Sequence, residues 1–135
     1  MRSVLVVDDN ELQRVICRNL LKQLGIVVVG APDGLQAIRE IDDPKNMFGA
    51  IITDFHMPIM NGLLFATTLR SKPCRLPIFL STSDTDIVAR FSTDPVYSVF
   101  EGILPKPVIP LDLFEKISRS LQRNDLTPAE LELSK

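Results

Sequence analysis

Three acidic residues stand directly after two short apolar runs of the chain. Asp8 and Asp9 follow the run Ser3–Val7, and Asp54 follows the run of residues 50–53. If these runs are neighbouring parallel strands, their carboxyl ends meet at the sheet edge where α/β proteins bind ligands. Two like charges about 4 Å apart repel by about 4 kcal/mol at an effective dielectric constant near 20. The sequence therefore predicts a cation there, and oxygen ligands with few other donors point to Mg²⁺.

Two further strand ends supply groups that complement a phosphoryl group. Thr82 follows the apolar run of residues 77–81 and offers a hydroxyl. Lys106 follows the short run that contains Ile103 and offers a point charge suited to a phosphoryl oxygen. A metal-binding carboxylate cluster with a lysine and a threonine opposite is what phosphoryl transfer requires, because its catalysis is mostly positioning and charge neutralisation.

Each of these residues has a plainer explanation when it is taken singly. Asp9 or Asn10 could merely cap the first helix. Lys106 and Pro107 could form only a turn, with a cis peptide bond as one option. The joint pattern, with each group at the end of its run and in the right order, is what favours a site.

The apolar runs alternate along the chain with segments that have helical spacing. Runs that stay apolar throughout, each followed by a helix, are typical of a parallel sheet covered on both faces. Five strands are expected, at residues 3–7, 26–30, 50–53, 77–81 and 103–104. Five such units predict a doubly wound α/β domain.

Helical spacing predicts the covering helices and a break in the fourth. The second helix is indicated by Leu35, Ile38 and Ile41, and the third by Leu64, Phe65 and Leu69. Thr93, Asp94 and Pro95 should interrupt the fourth helix, because proline inside a helix is costly. The closing helix is indicated by Leu111, Phe114, Ile117, Ser118 and Leu121. The first helix should end at Gly25 and be amphipathic, with an apolar stripe made of Leu12, Ile16, Leu20 and Leu24.

The chain as a whole fits one domain of 135 residues. Its net charge of −2 gives no sign of nucleic-acid or membrane-surface binding, and its apolar runs are too short to span a bilayer. Cys17 and Cys74 are expected to be reduced thiols of a cytoplasmic protein. We assign residues 1–123 to the domain. Residues 124–135, with a helix start at Thr127, form either a polar tail or the start of a linker to an absent effector domain.

The sequence resembles the receiver domains of response regulators, the signalling proteins of two-component systems, over residues 3–123. The resemblance implies a flavodoxin-like sheet in the order 2-1-3-4-5 and a phosphorylation switch, not an enzyme that acts on other molecules. The segments that carry it are residues 4–10, 31–38, 51–62, 77–82 and 104–107.

The same resemblance implies the chemistry of the switch. Asp54 would accept a phosphoryl group from the phosphohistidine of a sensor histidine kinase or histidine phosphotransfer protein, or from a small acyl phosphate. Asp9, Asp54 and the backbone carbonyl of His56 would hold Mg²⁺, with Asp8 assisting. Thr82 and Lys106 would then contact the phosphoryl oxygens, and the output would be an effector domain or a partner protein.

Three further positions follow from the resemblance. His56 and Asp84 stand two residues after the acceptor and the threonine, at positions that tune dephosphorylation, and Asp84 could equally cap the fourth helix. Ile103 replaces the aromatic residue whose rotation usually reports phosphorylation. We therefore expect the signal to leave through residues 87–100, whose apolar side chains either fill the core or form an exposed partner surface.

Two other functions stay open at this point. A haloacid-dehalogenase-like phosphatase also places aspartates after its first parallel strand, but its second aspartate stands where this chain has Asn10, two positions after Asp8. The other is a receiver-like interaction module that no longer takes phosphate. Such a module usually lacks an acidic residue, the acceptor or the lysine, and all of these are present here.

Overall fold

Five parallel strands form the centre of the computed structural model, which describes residues 3–125. The order across the sheet is β2-β1-β3-β4-β5, and all neighbouring strands run parallel. The flavodoxin-like doubly wound fold and its strand order are thus confirmed, and β1 and β3 lie side by side. The strands are β1 (Ser3–Val7), β2 (Val28–Ala31), β3 (Phe48–Thr53), β4 (Ile78–Thr82) and β5 (Gly102–Pro105).

The helices cover both faces of the sheet, so that the strands are buried on both sides. Alternate residues of β1 point to opposite faces, with Leu5 in one apolar cluster and Val4 in the other. Helices α1 and α5 pack on the Val4 face, while α2, α3 and α4 pack on the Leu5 face. The helices are α1 (Glu11–Lys22), α2 (Gly34–Asp42), α3 (Gly62–Arg70), α4 (Thr85–Arg90) and α5 (Pro110–Asp125).

Helix α1 ends at Lys22 and not at Gly25, and of the predicted apolar stripe Leu20 packs against the core. Its fully buried residues are Cys17 and Leu21, whereas Leu12 is 63% exposed. A stripe with a spacing of four residues drifts by about 40° per step around a helix of 3.6 residues per turn, so it cannot stay on one face. In helix α5 the predicted apolar face is largely confirmed, because Ile117 is buried and Phe114 and Leu121 pack against the same cluster, whereas Leu111 is exposed.

The interruption of the fourth helix is confirmed. Helix α4 ends at Arg90, and a short 3₁₀ helix, Pro95–Val99, begins where proline takes its first position. Tyr97 is buried and stacks on Phe91, with ring centroids 5.9 Å apart. Among the large apolar residues of this segment only Val96 is exposed, so the side chains mainly fill the core and form no apolar patch.

Both cysteines are free and buried. Burial, with the nearby Asp8 charge adding to it, raises the pKa of the Cys17 thiol to about 11, so this side chain is a neutral core residue at neutral pH. None of the helices within residues 3–125 is both long and apolar enough to cross a membrane. The expected helix start at Thr127 lies outside the described residues.

Ser81 gives a test of the core around β4. Its hydroxyl is buried and has no hydrogen-bond partner in the part of the chain that the structure describes. An unsatisfied buried hydroxyl costs about 1–3 kcal/mol, so we expect Ser81→Ala to raise the free energy of unfolding by about 1 kcal/mol in urea titrations. Ser83→Ala, at an exposed neighbour, is the control and should change it little. A clear loss of stability in Ser81→Ala would show that the hydroxyl is satisfied.

Candidate functional site

The loops after the strands are fixed to one another by backbone hydrogen bonds at the carboxyl edge of the sheet. The Asp54 N–H donates to the Val7 carbonyl at 2.9 Å, which ties the end of β3 to the end of β1. The Lys106 N–H donates to the Thr82 carbonyl, also at 2.9 Å, which ties β5 to β4. These bonds extend the register of the sheet by one residue past each strand. The predicted acceptor and the predicted lysine are therefore held by the backbone of the sheet itself.

Three carboxylates and one ammonium group meet at this edge. Oxygens of Asp8, Asp9 and Asp54 lie within 4.8 Å of one another. The Lys106 Nζ lies 2.8 Å from Asp8 Oδ2 and 3.5 Å from Asp54 Oδ2. Among the side chains that the structure describes, those of residues 3–122, no other cationic group lies within ion-pair distance of these carboxylates. One positive charge against three negative ones leaves the cluster under-compensated.

The buried Asp8 and the partly buried Asp54 each bind a backbone N–H with one carboxylate oxygen and face Lys106 with the other. Asp8 Oδ1 accepts from the Asn10 N–H at 2.9 Å, and Asp54 Oδ1 accepts from the Phe55 N–H at 2.8 Å. The second oxygen of Asp54 is thereby left on the side of the lysine. Local backbone bonds thus select which oxygen of Asp54 faces the site.

Asp9 differs from the other two carboxylates because it is exposed. Its carboxylate makes no hydrogen bond or ion pair within residues 3–125, so its oxygens are open. Three carboxylates without a histidine or cysteine ligand are hard oxygen donors that suit Mg²⁺, an ion that keeps several waters and takes one or two carboxylates. The donor set therefore fits the predicted metal.

Burial makes the charge on Asp54 costly. It raises the pKa of the carboxyl above its ordinary value, Lys106 opposes this, and the Asp8 charge adds to it. A group whose pKa is raised on folding destabilises the fold above that pKa, because its ionised form is the one penalised. A cation bound at the cluster would relieve the same penalty.

Thr82 lies at the end of β4 with only 1% of its surface exposed. Its hydroxyl oxygen accepts a hydrogen bond from the Asp84 N–H at 3.1 Å. The hydroxyl donates none within the described chain, so its hydrogen is available to an incoming oxygen. An open pocket of about 380 Å³ in front of the cluster is lined by Asp8, Asp9, Asn10, Gln13, Asp54, Ser83, Lys106 and Pro107.

His56 and Asp84, from the loops after β3 and β4, contact each other. His56 Nε2 lies 2.8 Å from Asp84 Oδ2, and this hydrogen bond is the main cause that lowers the pKa of Asp84. The other oxygen of Asp84 accepts from the Asp86 and Ile87 N–H groups. The interpretation of Asp84 as a helix cap is thus confirmed, while the tuning of dephosphorylation and the His56 carbonyl as a metal ligand stay predictions.

The remaining predictions about single residues are settled by local geometry. Asn10, and not Asp9, caps helix α1 through hydrogen bonds from the Leu12 and Gln13 N–H groups. The peptide bond between Lys106 and Pro107 is cis. Ile103 is partly buried against the α2, α3 and α4 face of the core, and its carbonyl accepts from Lys116 Nζ at 2.8 Å.

Sequence reasoning missed two features beside the acceptor. A Cβ atom at Gly62 would collide with the Asp54 carbonyl oxygen, so only glycine fits there, and the Gly62 N–H donates to the Phe55 carbonyl at 2.7 Å. Ile59 has a φ of 74°, in the left-handed region that β-branched residues rarely adopt. The Asn61–Gly62 pair indicated a turn. No sequence pattern predicted that Gly62 would approach the Asp54 carbonyl so closely, or that Ile59 would adopt a strained backbone conformation.

The model of the response regulator receiver domain family matches residues 4–118. The chain therefore belongs to this family, which also sets aside the haloacid-dehalogenase alternative. It is 31% identical to the chemotaxis response regulator CheY4 of Vibrio cholerae, with a TM-score of 0.73, and the match covers 90% of this chain and 99% of that one. A structure of TrrA from Thermotoga maritima in complex with Mg²⁺ and BeF is 25% identical, with a TM-score of 0.78, and the match covers 90% of this chain and all of that one.

One curated relative is the sensor histidine kinase CheAY of Helicobacter pylori. It is 37% identical over 82 residues, which are 59% of this chain and 10% of that protein. The chain spans 10% to 18% of the lengths of the curated relatives compared with it. The shared part is thus a receiver domain, which in those relatives is a small share of a longer protein.

The cost of the buried charge generates a prediction about stability. In metal-free buffer at neutral pH, Asp54→Asn should raise Tm by a few degrees, because it removes repulsion and desolvation that the raised pKa reports. The gain should shrink as the pH falls through the raised pKa of Asp54 toward its ordinary value of 3.8, since the wild-type carboxyl is then neutral as well.

Mg²⁺ should raise the Tm of the wild type, because an ion that binds only the folded state stabilises it by mass action. The rise should be smaller in Asp54→Asn, which lacks one of the carboxylates of the cluster. Asp42→Asn, at an exposed aspartate paired with Lys72, is the control and should leave the Mg²⁺ response intact. Differential scanning calorimetry measures both effects. An Asp54→Asn variant that melts below the wild type without metal, or a wild type indifferent to millimolar Mg²⁺, would contradict the charge cluster as described.

Proposed function

We propose that this receiver domain is a phosphorylation switch in which Asp54 accepts a phosphoryl group. The donor would be the phosphohistidine of a sensor histidine kinase or histidine phosphotransfer protein, or a small acyl phosphate. The observation that carries the proposal is that Asp54 Oδ2 lies 3.5 Å from the Lys106 ammonium, inside a cluster of three carboxylates at an open pocket. The chain would catalyse only its own phosphorylation and dephosphorylation.

The hydrogen bonds around Asp54 favour one oxygen as the nucleophile. Oδ1 accepts from the Phe55 N–H, whereas Oδ2 faces Lys106. Oδ2 would form the new bond to phosphorus while the bond from phosphorus to the histidine nitrogen breaks, with the leaving nitrogen taking up a proton. Lys106 would then pair with phosphoryl oxygens, and the Thr82 hydroxyl would donate its free hydrogen to another.

Asp8, Asp9 and Asp54 would hold Mg²⁺, together with the backbone carbonyl of His56. Bound there, the ion supplies the positive charge that offsets repulsion between the carboxylates and the entering phosphoryl group. The open oxygens of Asp9 and the Mg²⁺ and BeF in the TrrA complex support this assignment. His56 and Asp84, which contact each other and stand two residues after Asp54 and Thr82, would control the approach of the water that removes the phosphoryl group.

We infer that the protein acts in the cytoplasm. We assign residues 1–123 to the receiver domain, and residues 124–135 to a tail or to a linker that leads to an effector domain. We propose no contact with nucleic acid or membrane.

Phosphorylation with a small donor tests the assignment. With acetyl phosphate and Mg²⁺, intact-protein mass spectrometry should show the addition of one phosphoryl group to the wild type. Asp54→Asn should abolish the addition, because an amide oxygen is a poor nucleophile and forms no stable acyl phosphate. Asp42→Asn is the matched control at an exposed aspartate and should be labelled like the wild type.

The alternative function predicts a different pattern. A receiver-like interaction module that takes no phosphate would gain no mass from acetyl phosphate or from a phosphorylated histidine kinase. Labelling of Asp54→Asn as strong as that of the wild type would show that another residue is the acceptor. Either result would overturn the proposed function.

A further inference from the structure

The buried hydroxyl of Ser81 is the one buried side-chain polar group of the described chain that has no hydrogen-bond partner. Only 3% of the Ser81 surface is exposed. Buried polar groups are normally paired, so an unpaired one calls for an explanation such as a water, an ion or a functional role. The position of Ser81 in the sheet favours a functional role.

The register of the sheet places Ser81 beside the predicted acceptor. In the pairing of β3 with β4, Thr53 stands opposite Leu80. Asp54 and Ser81 are the next residues along these two segments, and neighbouring strands lie about 4.8 Å apart. On the other side of Asp54, the next residue after β1 is Asp8. Asp54 is therefore flanked by a carboxylate on one side and by an unpaired hydroxyl on the other.

Ser81 points to the face of the sheet on which the charged side chains act. Phe79 packs in the apolar cluster on the face covered by α1 and α5, and side chains alternate along a strand, so Ser81 points to that face as well. Burial raises the pKa of the Cys17 thiol of α1, the Asp8 charge adds to this rise, and the Lys106 charge opposes it. Both charged groups therefore lie near the same face.

The Lys106 side chain has to cross the end of β4 to reach the carboxylates. Lys106 follows β5, and β4 lies between β5 and β3. Its Nζ nevertheless lies 3.5 Å from Asp54 Oδ2 after β3, and 2.8 Å from Asp8 Oδ2 after β1. Ser81 is the last residue of β4 that points to the face covered by α1 and α5. Its hydroxyl thus lies between the strand that carries the lysine and the acceptor.

The contacts of the ammonium group leave a donor for another acceptor. A lysine ammonium has three N–H donors, and the contacts with Asp8 and Asp54 account for two. Mg²⁺ at the cluster would compete with Lys106 for Asp8, its closer partner, while a phosphoryl group on Asp54 would attract the lysine. Both effects move the ammonium away from β1 and toward β4. The acceptor without a partner there is the Ser81 hydroxyl oxygen.

We propose that Ser81 is a positioning residue for Lys106, whose ammonium donates a hydrogen bond to the Ser81 hydroxyl when Mg²⁺ and a phosphoryl group are bound. The inference rests on the proposed function. The hydroxyl is then satisfied only in the phosphorylated domain. The cost of burying it unpaired therefore destabilises the unphosphorylated domain and favours the phosphorylated one.

Titration with beryllofluoride and Mg²⁺, which together mimic the phosphoryl group, tests the inference with three substitutions of one residue. Ser81→Ala removes the hydroxyl, Ser81→Cys keeps a similar volume but is a weak acceptor, and Ser81→Thr keeps the hydroxyl. Ser120→Ala is the matched control. Ser120 is the other buried serine among residues 3–122, and it lies on α5 in a cavity separate from the pocket of the site.

Two NMR signals report separately on occupation of the site and on the new hydrogen bond. The Phe55 amide donates to Asp54, so its shift follows the binding of beryllofluoride. The side-chain NH₃⁺ signal of Lys106 follows the hydrogen bonds of the ammonium itself. A merely structural role of Ser81 would leave the second signal unchanged.

Ser81→Ala and Ser81→Cys should bind beryllofluoride about ten-fold more weakly than the wild type, the loss expected for one hydrogen bond to a charged group. Ser81→Thr should bind nearly as tightly as the wild type, and Ser120→Ala should not differ from it. In the wild type, beryllofluoride should slow hydrogen exchange of the Lys106 ammonium, and this effect should be absent from Ser81→Ala. Beryllofluoride and Mg²⁺ should also raise the Tm of Ser81→Ala less than that of the wild type.

Several results would overturn the inference. If Ser81→Ala and Ser81→Cys bind beryllofluoride as tightly as the wild type, Ser81 is only a core residue and the proposed function still stands. A Lys106 ammonium signal that responds equally in the wild type and in Ser81→Ala would show that the lysine uses another acceptor. Weak binding by a Ser81→Thr variant of wild-type stability would assign the effect to packing. A Phe55 amide that never responds would count against the proposed function, and the role of Ser81 would fail with it.

Discussion

The ammonium group of Lys106 lies against the buried Asp8 carboxylate and the partly buried Asp54 carboxylate, and this contact is possible only because the sheet brings distant strand ends together. Asp8, Asp54 and Lys106 come from the ends of three strands that are far apart in sequence. The parallel strands bring these ends to one edge, and the order β2-β1-β3-β4-β5 places β1 beside β3, with Asp54 bound to Val7 and Lys106 bound to Thr82 by backbone hydrogen bonds. The apolar faces that bury the sheet on both sides are what keep the charged edge in register.

The same edge is left short of positive charge. Asp8 and Lys106 are close partners at 2.8 Å, Asp54 is farther at 3.5 Å, and Asp9 has no ion pair within the described chain. Burial raises the pKa of Asp54, so its charge is a cost that the fold carries. A bound cation would therefore stabilise the fold. The oxygen to which the proposed phosphoryl group would attach is Asp54 Oδ2, whose contact with Lys106 is the longer of the two. The repulsion within the carboxylate cluster lowers the stability of the fold at the site where the proposed reaction takes place.

The sequence predicted that the residues of the candidate site would meet, because strand ends are readable from local patterns. Each of Asp8, Asp54, Thr82 and Lys106 follows an apolar run, and parallel pairing brings such positions together whatever the details of packing. The face of α1 was wrong because apolar residues at a spacing of four do not stay on one side of a helix, so Leu12 is exposed and Cys17 is buried. The collision that requires Gly62 and the bond between His56 and Asp84 depend on loop paths across distant segments, which residue spacing does not encode.

The most direct test of the central claim identifies the phosphorylated residue chemically. After incubation with acetyl phosphate and Mg²⁺, borohydride reduces an aspartyl phosphate to homoserine, and peptide mass spectrometry then locates the changed residue. The geometry predicts homoserine at position 54 and unchanged aspartate at positions 8 and 9. Homoserine at Asp8 or Asp9, with Asp54 intact, would contradict the assignment of Asp54 Oδ2 as the oxygen that faces Lys106 and the incoming phosphoryl group.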